Sequence, residues 1–86
     1  MQIPNLNAFE DKLMEIFNNA KLEGKDFVIV NAEELHREVG GYPGRNHRMP
    51  TCNWVMRKHI RPGDLILSEP EKGYGASLTI KYKSPR

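Results

Sequence analysis

Apolar residues recur at Phe9, Leu13, Ile16, Phe17 and Ala20, the three- and four-residue spacing of one buried helical stripe. Asp11, Lys12, Glu15, Asn18, Asn19 and Lys21 fall largely on the opposite side. Asn7, three positions before Glu10, has the spacing of a capping box and predicts a helix from about Ala8 to a stop at Gly24. Phe27-Val28-Ile29-Val30 then predicts a strand. Asn31-Ala32-Glu33-Glu34 repeats the capping signature. It predicts a second helix over Ala32 to Val39, with Leu35 and Val39 inward, His36 and Arg37 on its flank, and Gly40-Gly41 ending it.

The loop that follows, Gly41 to Met49, is longer than most helix–helix connections. Pro50 suits the first turn of a third helix. Cys52, Val55, Met56 and Ile60 lie at helical spacing on its expected buried face, while Asn53, Trp54, Arg57, Lys58 and Arg61 are expected to point outward. Trp54 either tucks sideways into the core or serves a partner. After the Arg61-Pro62-Gly63 turn, Asp64 to Ser68 reads as a strand and Glu69 to Gly75 as a wide turn. Leu78, Ile80 and Tyr82 then alternate with Thr79, Lys81 and Lys83, as in a half-buried antiparallel strand. Ser84-Pro85-Arg86 reads as a frayed tail.

The expected order is therefore helix, strand, helix, helix, strand, strand. This is the order of an α+β winged helix, a single domain over residues 1–86 with a three-stranded antiparallel sheet. The second and third helices would form a helix-turn-helix, and the last two strands the wing. The first strand would join the hairpin and lift it above the marginal stability of a two-stranded ribbon.

Charge sharpens this picture. Residues 1–44 carry four bases and eight acids, and residues 45–86 carry nine bases and three acids. A formal total of +2 thus conceals halves of −4 and +6. From Arg45 to Arg61 there are five Lys or Arg, two His and no acid, so the expected recognition helix is also the basic one. Such segregation suits a polyanion, and double-stranded DNA is the partner expected first. The apolar runs are too short for a membrane span, and the first residues show no basic-then-apolar leader. With the lone Cys52, these features lead to the expectation of a cytoplasmic protein without disulfides.

In a groove-docking pose, Asn53 and Arg57 would read base edges, and Arg45, Arg48, Lys58 and Arg61 would neutralise phosphates. Asn46, His47 and Trp54 complete the basic stretch, and Lys72 and Tyr74 at the wing tip would reach the flanking backbone. The same surface could instead dock a protein partner, a nuclease for example, with Trp54, Tyr42 and Tyr74 as anchors. Catalysis is not expected. Asn46-His47-Arg48 could supply a base and a phosphate-stabilising cation, but no acid lies nearby to hold a divalent ion. Cys52 sits at an apolar helix position, where an inert thiol is expected. His47, Cys52 and His59 match no zinc spacing, so neither metal nor cofactor is expected.

The stretches ELHREVGGYPG (34–44), Asn46-His47-Arg48-Met49-Pro50 and GASLTIKY (75–82) resemble a small bacterial domain found alone or attached to HNH-type endonucleases. The similarity runs from Val30 to Lys83, about two-thirds of the chain. The chain has no HNH zinc-and-histidine module, so the resemblance does not imply nuclease activity. It implies a companion domain that helps recognise DNA, or a stand-alone relative of one.

Overall fold

The structure is a computed structural model that describes residues 5–44 and 47–86. Helix α1 spans Leu6–Leu22, strand β1 Phe27–Asn31, helix α2 Ala32–Val39, helix α3 Met49–Lys58, strand β2 Leu65–Ser68 and strand β3 Thr79–Lys83. The fold is α+β, with three helices and one antiparallel sheet of order β1-β3-β2. The two strands nearest in sequence to the helices thus flank the last one.

Local chemistry accounts for most element ends. Helix α1 begins earlier than the Asn7 capping box predicts: Asn5 is the N-cap, and its side chain accepts the Ala8 N–H at 2.9 Å. Both asparagines offer the same acceptor, and the earlier one adds a half-turn of hydrogen bonds. Asn31 caps α2 as expected, accepting the Glu34 N–H at 3.2 Å. Its amide also donates to Ala76 O at 3.2 Å and Thr79 Oγ1 at 3.0 Å, so one side chain starts a helix and ties it to the approach of β3. Gly40 and Gly41 hold φ of 112° and 80°, a region that stops a helix and that side chains with a Cβ avoid.

The core lies between the helices and one face of the sheet. Phe9, Leu13 and Phe17 of α1 meet Leu35 of α2, Cys52, Val55 and Met56 of α3, Leu78 just before β3, and Ile80 and Tyr82 of the sheet. The alternation expected along β3 holds, with Ile80 and Tyr82 buried and Thr79, Lys81 and Lys83 on the other face. The buried Tyr82 hydroxyl donates to Met56 O at 2.7 Å, which joins sheet to helix and satisfies a polar group that would otherwise be costly. On the opposite face, Ile29, Lys81 and Leu65 line up across the three strands. Lys81 lies over the Phe27 ring at 4.3 Å, its stem shielding exposed apolar surface.

Three expectations fail for tertiary reasons. His36 is not on a flank but fully buried. It packs edge-on against Phe9 at 4.9 Å, and its Nε2 accepts the Arg48 N–H at 2.8 Å. Asn53 is buried as well, at 2% exposure, because the turn after β2 folds back over α3. The tail is not frayed. Arg86 Nη1 contacts both Asp64 carboxylate oxygens at 3.0 Å and Nη2 donates to His59 O at 2.6 Å, with the guanidinium over the Phe17 ring at 4.7 Å.

Candidate nucleic-acid interface

The outward side of α3 is a ridge one turn apart, Pro50, Trp54 and Lys58, all exposed. Trp54 is 53% exposed, which decides between core and surface: the indole faces solvent. Lys58 Nζ sits 5.1 Å from the indole centroid and 2.6 Å from Glu10 Oε1 of α1. The hydrogen bond from Lys58 holds the Glu10 carboxyl below its usual range, against the opposing effect of burial.

The segment between β2 and β3 is stitched along this helix. Asn53 Nδ2 donates to Gly75 O at 3.1 Å, and its Oδ1 accepts the Gly75 N–H at 2.9 Å. A third bond, Nδ2 to Met49 O at 3.2 Å, fixes the amide on its own helix. One turn on, Arg57 Nη2 donates to Gly73 O at 3.2 Å and lies 3.0 Å from Glu69 Oε1. These bonds hold Lys72 and Tyr74 beside the helix, both exposed, with Tyr74 at 53%. Gly73 has φ of 82°, so the turn at its tip relies on a residue without Cβ.

The expected contact residues are therefore only partly brought together. Trp54, Arg57 and Lys58 share one surface with Lys72 and Tyr74. Asn53 is inside, spent on Gly75 and Met49, and cannot reach a base edge. Arg48 and His47 are exposed just before α3. Arg48 Nη1 donates to His47 O at 3.3 Å, and His47 Nδ1 accepts the Met49 N–H at 3.3 Å. Arg61 lies past the end of α3, on the wall of a cavity shared with α1. Arg45 and Asn46 lie outside the described residues.

The groups with catalytic potential do not assemble. Burial pushes the Cys52 thiol up to about 12, and its Sγ contacts Ala32 O at 3.6 Å. His59 is held below the usual imidazole range, by burial first and by nearby Lys58, Arg86 and Arg61, with Glu10 opposing. Among the described residues no group of three or more His, Cys, Asp or Glu could hold a metal ion. No described helix is long and apolar enough to cross a membrane.

The acids that pair with Lys58 and Arg57, Glu10 and Glu69 respectively, carried no signal in the sequence. They come from α1 and from the β2–β3 turn, 48 residues before Lys58 in one case, and only folding brings them near. No protein-family model, no curated protein and no solved structure matches this chain.

Proposed function

We propose that this chain is a winged-helix module that binds duplex DNA without catalysing a reaction on it, acting in the cytoplasm. The observation that carries the reading is the ridge of Trp54 and Lys58 on α3. It is flanked by the Lys72–Tyr74 turn, which Asn53 and Arg57 hold beside it. The element order, with β1 next to β3, supports this reading, under which α3 would serve as the recognition helix. With Asn53 buried, the interface depends on phosphate contacts and on aromatic surface, with Arg57 as the remaining candidate for a guanine edge. The ion pairs that Lys58 and Arg57 make with Glu10 and Glu69 are half-exposed. Pairs of this kind contribute roughly 0–1 kcal/mol, so a phosphate can displace the carboxylate at small cost.

The test is an NMR titration of the labelled protein with a short random duplex, at about 50 and 200 mM salt. If Arg48, Arg57, Lys58 and Lys72 each neutralise one phosphate, a log–log slope of about 0.9 per phosphate predicts an affinity loss on the order of a hundredfold. Shifts should centre on the Trp54 indole, Lys58 and residues 72–75, and Arg57→Ala with Lys58→Ala should remove them. Absence of shifts at the lower salt would overturn the reading.

A second reading has its own support. Trp54 and Tyr74 are large, exposed and close to paired charges, the composition of an interface anchor with a polar rim. Under that reading the same ridge docks a protein partner, and duplex DNA fails to compete for it.

A further inference from the structure

A separate cavity of about 310 Å³ lies between α1 and the chain leaving α3. One face of α1 supplies Met14, Phe17 and Lys21, the exit of α3 supplies His59 and Arg61, and Arg86 also lines it. No Asp or Glu side chain lines it.

The charges around this space do not cancel. Arg86 is committed to Asp64, and the two side chains are only 7% and 0% exposed. That pair is electrically closed. Lys21 and Arg61, by contrast, are exposed and have no ion-pair partner among the described residues. Two positive charges from different elements therefore line one cavity, while the nearest acids, Glu10 and Asp64, are already paired with Lys58 and Arg86. The end of a helix normally repels anions through its free carbonyls. Here two of those carbonyls are already taken: Met56 O accepts the Tyr82 hydroxyl at 2.7 Å and His59 O accepts Arg86 Nη2 at 2.6 Å. Met14, 41% exposed, offers an adaptable apolar wall beside the cations.

We infer that this cavity binds a phosphate monoester, with Lys21 and Arg61 on the phosphate and Met14 against the organic group it carries. A monoester bears about −1.5 to −2 charges at neutral pH, which matches the two uncompensated cations better than a carboxylate or a bridging diester. The Arg61 guanidinium can take two phosphate oxygens at once, and the Lys21 ammonium adds a point charge. The volume lies at the small end of the range for ligand sites, roughly 300–1,000 Å³, so the organic group is a single small ring or chain. The monoester belongs either to a free small molecule or to the 5′ end of a nucleic-acid strand.

The inference stands apart from duplex binding by α3, and one set of titrations separates them. The probes are inorganic phosphate, phenyl phosphate, and the same short duplex with 5′-phosphate or with 5′-hydroxyl ends. Phenyl phosphate at millimolar concentration should shift the Lys21, His59 and Arg61 amides and the Met14 methyl, and should bind more tightly than inorganic phosphate. Lys21→Ala and Arg61→Ala should each weaken it on the order of tenfold. Both positions are exposed, so the melting curves of the variants should stay close to the parent's. Cavity shifts with the phosphorylated duplex and none with the hydroxyl duplex would identify a strand end as the source; shifts with phenyl phosphate alone would identify a free ester. If phenyl phosphate leaves these residues unshifted, or the double variant binds it unchanged, the inference is overturned. The 5′-hydroxyl duplex reports on the α3 ridge alone, so failure of one reading leaves the other intact.

Discussion

Replacing Asn53 with Ala separates a structural clamp from a base-reading side chain. The substitution deletes three hydrogen bonds, two to Gly75 and one to Met49. It leaves the part-buried Gly75 N–H and C=O without their protein partners. A net contribution of about 1 kcal/mol per bond gives about 3 kcal/mol. That is a large share of the roughly 5–15 kcal/mol that holds a small domain together. For a chain of this size the expected fall in Tm is on the order of 10–20 °C, measurable by circular dichroism. The Gly75 amide should also exchange with deuterium far faster, because the turn that carries Lys72 and Tyr74 loses its anchor. Asn53→Asp sharpens the test. It keeps an acceptor for the Gly75 N–H but turns a carboxylate toward the Met49 and Gly75 carbonyls, so it should destabilise at least as much as Ala despite its matching shape. If Asn53→Ala kept the parent's Tm and Gly75 protection yet lost duplex binding, the clamp would be wrong and Asn53 would be a contact residue.

Arg86→Ala should lower stability by about 1–3 kcal/mol, the cost of removing charge-assisted hydrogen bonds from a part-buried carboxylate that keeps the Arg61 and Lys83 N–H groups, with denaturant melts as the readout. The same site sets an acid limit. Burial would raise the Asp64 carboxyl, but the N–H groups of Lys83 and Arg61 and the Arg86 guanidinium outweigh it and hold it below its ordinary value. Its contribution is therefore complete above about pH 3.9 and disappears as pH falls through the lower folded value. Melts recorded down to pH 2 should show that loss blunted in Asp64→Asn. His59 acts earlier, since its folded value lies below the ordinary one. Stability should decline as pH falls below about 6.5 and level off once the folded imidazole also takes a proton. His59→Gln should remove that step. Cys52, with a thiol pushed up to about 12 in a fully buried position, should resist an aromatic disulfide reagent at pH 8 until the protein is unfolded. Prompt labelling of the native state would contradict its burial.

The three helices and three strands were legible along the chain because each rests on near neighbours. The stripe from Phe9 to Ala20, the Asn31 cap and the β3 alternation are periodic or capping signals that act within a few residues. The charge of the third helix could be read in the same way, as could the inward places of Cys52, Val55 and Met56.

What escaped the sequence depends on contacts between residues far apart. Asn53 occupies a helix position next to Trp54, and nothing local distinguishes the two. One is buried because Gly75, 22 residues later, folds onto it, and the other stays in water because nothing does. His36 is polar at a position that reads as boundary, yet the backbone of Arg48 satisfies its Nε2 and the Phe9 ring packs edge-on against it, while its buried Nδ1 has no partner among the described residues. Arg86 read as tail until Asp64 and two aromatic rings gave it a socket. A side chain's periodicity fixes the direction in which it leaves its own element. Whether that direction ends in solvent, in a partner's carbonyl or beside an opposite charge is set by the other elements, and only the tertiary structure decides it.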